Sequence, residues 1–226
     1  MYDVKPNLII GFHGCEAEVR DMLLHNPDEF KMSQKPFDWL GNGFYFWENN
    51  YYRALEWARD KQKRGIIREP AVIGAVLHLG YCCDFMETQH LRLLSIYFRN
   101  MSERYSMLGK PLPENKDLPG QGSGDKVLRY LDCAVIEFMH EEIWKSIQAD
   151  DIDKQSVRRR VFDSTRGVFT EGVPVFEGAG LFEKTHVQIC IRNPNCILGF
   201  FKPRKEIDFA SWMEGHQAAQ MTTDAA

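Results

Sequence analysis

The sequence predicts an α+β fold with antiparallel β-sheets. Three observations carry this. Short apolar runs rich in β-branched and aromatic residues end at Gly, Asn or Pro. Two long segments carry apolar residues at helical spacing. Strands and helices come mixed, with no regular βαβ alternation and no internal repeat.

The elements follow in chain order. Asn7 to Gly14 is an apolar run stopped by glycine, and reads as a buried strand. Glu16 to His25 reads as a helix with Val19, Met22 and Leu23 on one face. Phe30 to Leu40 is irregular and holds Pro36; Gly41-Asn42-Gly43 signals a turn, and Phe44 to Trp47 is a short aromatic strand. Asn49 or Asn50 caps a helix running to about Lys63, with Ala54, Leu55, Trp57 and Ala58 inside. Ala71 to Phe85 reads as one central strand, and Glu87 to about Leu108 as a helix. Pro111 to Gly124 holds three prolines and three glycines and reads as a loop. Lys126 to Ile147 reads as a second long helix, with Val127, Leu128, Leu131, Val135, Phe138 and Met139 spaced as a core face. Strands are expected at Arg160 to Thr170, Thr185 to Ile191 and Cys196 to Phe201, with a glycine-bearing loop over Val173 to Lys184. One domain is expected over residues 1–210, with a frayed tail over 211–226.

Composition narrows the function classes. The chain has 226 residues, 44% of them hydrophobic and 12% aromatic, too apolar for a disordered chain. Lys plus Arg number 28 against 32 Asp plus Glu, so a histone-like grip on nucleic acid is excluded while a local basic patch is not. Such a patch is present at Arg158-Arg159-Arg160, with Lys154 and Arg166 nearby; it reads either as a solvated surface or as a phosphate contact. No apolar run approaches the roughly 20 residues of a membrane helix, and the N-terminus lacks a charged-then-apolar signal pattern. No membrane partner and a cytoplasmic location are therefore expected. The six cysteines form no C-x-x-C pair, read as reduced, and offer no zinc spacing.

Three places carry candidate chemistry. In Gly11-Phe12-His13-Gly14-Cys15, a histidine ends an apolar strand beside a glycine. A nucleophilic Cys15 finds no third orienting group. In Gly41-Asn42-Gly43-Phe44-Tyr45-Phe46-Trp47, a glycine turn precedes a tyrosine whose face and hydroxyl can both serve a ligand; the third glycine and the lysine of a phosphate loop are missing. In Glu183 to Ile191, alternation puts His186, Gln188 and Cys190 on one strand face and Val187, Ile189 and Ile191 on the other. Each place alone also reads as ordinary core.

Taken in order, the F-H-G strand end, the G-x-G-F-Y-F turn with Ala54-Leu55-Glu56-Trp57-Ala58 behind it, and the late strand with a polar centre resemble the ADP-ribosyltransferase superfamily. The likeness is greatest to the branch containing diphtheria toxin and the poly(ADP-ribose) polymerases. It spans about residues 8 to 201, as short motifs; Ala75-Val76-Leu77-His78-Leu79-Gly80 with Cys83-Asp84-Phe85 also resembles that family's next core strand. The resemblance implies split antiparallel sheets around a cleft for NAD, the co-substrate. It implies that His13 bonds the adenosine ribose, that Gly14 holds the nicotinamide amide through its backbone, that Tyr45 stacks on nicotinamide, and that Trp57 lies near a second stacking aromatic. Gln188 stands where the family places its catalytic glutamate. Its amide can accept the same ribose hydrogen bond but supplies no negative charge. Glu183 is the nearby carboxylate that would compensate, and His186 the group that would orient or deprotonate an acceptor. The implied activity is transfer of ADP-ribose to a macromolecular acceptor, protein or nucleic acid, as in a toxin or phage-defence effector, with an antitoxin or regulator as partner. NAD hydrolysis and a non-catalytic nucleotide-binding module are the alternatives.

Overall fold

The computed structural model describes residues 8–117, 126–149, 161–205 and 208–213. The Arg158 to Arg160 cluster, Lys154, part of the Pro111 to Gly124 loop and most of the expected tail lie outside them.

The elements are β1 (Leu8–Glu16), α1 (Ala17–His25), β2 (Phe44–Glu48), α2 (Tyr51–Lys63), β3 (Pro70–His78), β4 (Cys82–Asp84), α3 (Thr88–Met107), α4 (Tyr130–Ala149), β5 (Ser164–Phe169), β6 (His186–Ile191) and β7 (Ile197–Phe201). The fold is α+β, with a seven-stranded sheet in the order β4-β5-β6-β2-β1-β3-β7. All neighbours are antiparallel except β4 and β5, which run parallel.

Three details depart from the sequence reading. The second long helix begins at Tyr130, so Val127 and Leu128 precede it, and Leu128 forms an isolated bridge with Lys116. The expected Ala71 to Phe85 strand is broken at Gly80, whose φ of +60° suits glycine. There Tyr81 N donates to Asp163 Oδ2 at 2.8 Å, and the chain crosses to the far edge, where β4 meets β5 in parallel. Val19 is not on the buried face of α1: it is exposed, whereas Leu23 is buried and Met22 packs beside it. Elsewhere the local signals hold. Asn50 caps α2, its side chain accepting from Arg53 N. Val135, Phe138 and Met139 are buried on α4.

The seven strands form one mixed sheet and not separate antiparallel sheets, and its shortest antiparallel pairing is between β1 and β2. β1 pairs with β3 along its whole length, from Leu8 to Glu16. It pairs with β2 at only two positions, Gly11 with Glu48 and Phe12 with Trp47. On its other side β2 pairs with β6 from Phe44 to Trp47. The inner residues on both sides of the β1–β2 pairing share one core: Phe44, Phe46, Ile189 and Ile191 meet Ile73, Ala75, Leu77 and Leu79, with Leu23 of α1. The opposite face carries α2 over Trp47 and Val72. Farther along, α3 and α4 pack near Cys83 and Phe162. Between these helices lies the face of β2 and β6 that carries Tyr45, Trp47, Gln188 and Cys190.

Candidate functional site

His13 lies on β1 beside its short pairing with β2. Its Nδ1 lies 2.8 Å from Tyr45 O on β2. A carbonyl only accepts, so Nδ1 carries the proton and Nε2 presents a lone pair. The ring packs on Phe44, with centroids 4.7 Å apart, and burial lowers its pKa to about 4. A neutral imidazole in this tautomer can accept a hydrogen bond at Nε2.

Gly14 is required by packing. A Cβ there would collide with Ala54 O and crowd Ala58 Cβ, so the absence of a side chain lets α2 lie on the sheet. The two turn glycines have similar reasons. Gly41, at φ +81°, lies under Glu137 and Ile136 of α4, and Gly43 lies against Cys190 and the Ile191 backbone. The space beside these glycines is filled by the protein itself.

Tyr45 shares a face with Cys190, and its hydroxyl donates to Gly41 O at 2.6 Å and accepts from Leu40 N at 2.9 Å. Its ring packs with Leu40, Phe169 and Cys190, and burial raises its pKa. Tyr45 thus fastens the 40–43 turn. His13 packs toward Phe44 and Phe46, on the other strand face, so the two meet through the Tyr45 carbonyl and not ring to ring. That turn is clamped from α4: Glu137 accepts from Asn42 N at 2.7 Å and Asn42 Nδ2 at 2.9 Å, and pairs with Arg192 Nη1 at 2.5 Å. Arg192 in turn donates to Asn42 O at 3.0 Å.

A second cluster surrounds Gln188. The residue is half-buried, directly across from Trp47 on β2 and from Gly167 on β5. His186 lies two residues earlier on the same face, with its ring 6.3 Å from Trp47, 6.2 Å from Trp39 and 6.0 Å from Phe169. Its Nδ1 lies 2.5 Å from Lys184 O, and burial depresses its pKa. Trp57 packs on Trp47 at 5.4 Å and carries Lys61 Nζ 3.5 Å above its ring; burial lowers the Lys61 pKa to about 8. Arg53 of α2, almost fully buried, lies over the Trp47 ring and pairs with Glu171 and Glu56.

Glu183 is exposed and stands apart from this cluster. It lines a groove of about 470 Å³ between α2 and residues 183–185, together with Arg53, Glu56, Arg59, Asp60 and Lys184. The structure therefore brings together His186, Gln188 and Trp57, links His13 to Tyr45 through the backbone, and leaves Glu183 at the surface. Sequence reasoning missed Trp47, Arg53 and Glu171. Arg53 and Glu171 are 118 residues apart, and nothing local pairs them. Burial pushes the Cys15 thiol up to about 11, which leaves it inert as a nucleophile.

No helix among the described residues is long and apolar enough to cross a membrane. Comparison with protein-family models, with curated proteins and with solved structures finds no match.

Proposed function

We propose that the protein is an NAD-dependent ADP-ribosyltransferase, cleaving NAD at the nicotinamide–ribose bond and passing ADP-ribose to a macromolecular acceptor. One observation carries the reading. Three motifs more than 30 residues apart in sequence, at His13, Tyr45 and Gln188, fall on β1, β2 and β6, three neighbouring strands at the centre of the sheet, beside its short β1–β2 pairing.

The donor set fits a dinucleotide in part. His13 Nε2 accepts from a ribose hydroxyl, and the depressed pKa keeps it neutral at physiological pH. The Gln188 amide positions the 2′-hydroxyl of the second ribose. Tyr45, Trp47 and Trp57 supply aromatic surface on the Gln188 face. NAD itself supplies the activated glycosidic bond. With no carboxylate at 188, electrostatic support for the growing positive charge falls to the Glu171 and Glu56 carboxylates held by Arg53, since Glu183 stands apart at the surface. A cytoplasmic toxin or phage-defence effector restrained by an antitoxin or regulator is the setting this reading suggests.

A non-catalytic nucleotide-binding module is the second reading. It is favoured by the glutamine at 188 and by the engagement of the Tyr45 hydroxyl within the turn. Incubation with NAD labelled in the adenine, plus cell extract, separates the readings. Transferase activity releases nicotinamide and moves label into macromolecules; a hydrolase yields free ADP-ribose; a binding module yields neither.

A further inference from the structure

His186, Trp47 and Arg53 meet beneath α2 and beside Gln188, only 4%, 3% and 6% exposed respectively. His186 Nε2, Trp47 Nε1 and Arg53 Nε are buried and have no hydrogen-bond partner. Burying one such group unpaired costs about 1–3 kcal/mol, and native interiors rarely tolerate it. Three in one neighbourhood call for a polar occupant.

The three atoms specify its chemistry. His186 Nδ1 donates to Lys184 O, so Nε2 is an acceptor. Trp47 Nε1 and Arg53 Nε only donate. The occupant must therefore give one hydrogen and accept at least one. A hydroxyl does both. A carboxylate has no hydrogen to give to His186, whereas an ammonium or guanidinium has no lone pair for Trp47 and meets the buried charge of Arg53. The 470 Å³ groove adjoins this cluster: its lining includes Arg53 and Thr185, the residue before His186. The groove mixes signs: Arg59, Lys63 and Lys184 stand among Glu56, Asp60 and Glu183. Its carboxylates disfavour a phosphate backbone and suit a polypeptide of mixed charge.

We propose that the acceptor is a serine or threonine hydroxyl of a polypeptide, led along this groove to His186, Trp47 and Arg53; this rests on the transferase reading. In the step, the hydroxyl oxygen forms a bond to C1′ of the nicotinamide ribose. The bond from C1′ to the nicotinamide nitrogen breaks, and its electron pair stays on that nitrogen. The hydroxyl proton passes to His186 Nε2 and then to water. The products are an O-linked ADP-ribosyl polypeptide, nicotinamide and one proton.

The test uses the full chain, NAD and acetylated tripeptides Gly-Ser-Gly, Gly-Glu-Gly, Gly-Lys-Gly and Gly-Arg-Gly, with nicotinamide release and site-localising mass spectrometry as readouts. Transfer to the serine peptide should exceed the others at least tenfold. His186→Gln should lower transfer about 10²-fold. Trp47→Phe, which removes the N–H together with part of the indole ring while keeping an aromatic face, should lower it about tenfold with NAD affinity within twofold of wild type. A second arm needs no turnover: in ¹⁵N NMR, N-acetyl-serinamide should shift the Trp47 indole and His186 imidazole signals, and N-acetyl-alaninamide should not. ADP-ribose on Glu, Lys, Arg or nucleic acid, ADP-ribose released only free, or no shift with N-acetyl-serinamide overturns the proposal. A serinamide shift without nicotinamide release from any mixture upholds the hydroxyl site and defeats the transferase reading alone.

Discussion

Protonating His13 should destabilise the fold, and the size of the effect follows from its surroundings. The ring is packed on Phe44 and Phe46, its Nδ1–H is committed to Tyr45 O, and burial lowers its pKa from 6.5 to about 4. Above pH 6.5 the ring is neutral in both folded and unfolded chains and contributes no pH dependence. As pH falls from 6.5 to 4, the unfolded chain takes up a proton that the folded chain refuses. Stability is therefore lost through that window and, near pH 4, the loss reaches about 3 kcal/mol from this one group. Below pH 4 both states are protonated and the loss stops growing. His186 and His140 are also pushed down by burial and add to the acid sensitivity, so His13 has to be isolated by substitution. His13→Gln keeps a donor for Tyr45 O but cannot titrate. Urea unfolding at pH 7.5, 6, 5 and 4 should show wild type losing about 3 kcal/mol more than the variant over that range. Direct ¹⁵N titration of the imidazole should give a pKa near 4 with the proton on Nδ1. Parallel pH profiles for the two proteins, or an imidazole pKa above 6, would refute the neutral, acceptor-presenting ring.

Three further perturbations probe the frame around the site. Glu137→Ala removes four hydrogen bonds to Asn42 and Arg192 and strands a largely buried guanidinium, so it should cost about 3 kcal/mol in urea unfolding; Glu137→Gln should cost less, and equal losses would count against the charge-assisted clamp. Tyr45→Phe should cost about 1–2 kcal/mol through the loss of both bonds to the 40–41 backbone, and unchanged stability would show that these bonds are not formed in solution. Gly14→Ala forces α2 off the sheet and should cost about 2–3 kcal/mol in a thermal melt, whereas a neutral substitution would contradict the packing given for it.

Much of this architecture was legible because its signals are local. The apolar run ending at Gly14, the Asn50 cap and the alternation of β6 depend on neighbouring residues, and their elements formed close to where they were expected. The face shared by His186, Gln188 and Cys190 was readable for the same reason. What escaped was set by distant partners. Gly80 breaks an apolar run only because Asp163 waits beyond it to receive Tyr81 N. The parallel β4–β5 pair joins segments 82 residues apart, and no local pattern announces it. The glycines of the 41–43 turn announced the turn but not that α4 and β6 pack against it. Arg53 and Trp47 looked like ordinary helix and strand residues until the fold buried their polar atoms beside His186.

The proposed transferase activity depends most directly on Gln188. On that proposal its amide positions the reacting ribose, so its contribution is greatest in the transition state and small in ground-state binding. The deciding measurement is single-turnover release of nicotinamide from NAD, with NAD affinity measured by calorimetry, for wild type, Gln188→Ala and Gln188→Glu. Gln188→Ala should release nicotinamide about 10²-fold more slowly with affinity within twofold of wild type, and Gln188→Glu should match or exceed wild type. Equal rates in all three proteins, or no release by wild type with any extract, would contradict the catalytic account and leave the nucleotide-binding module in its place.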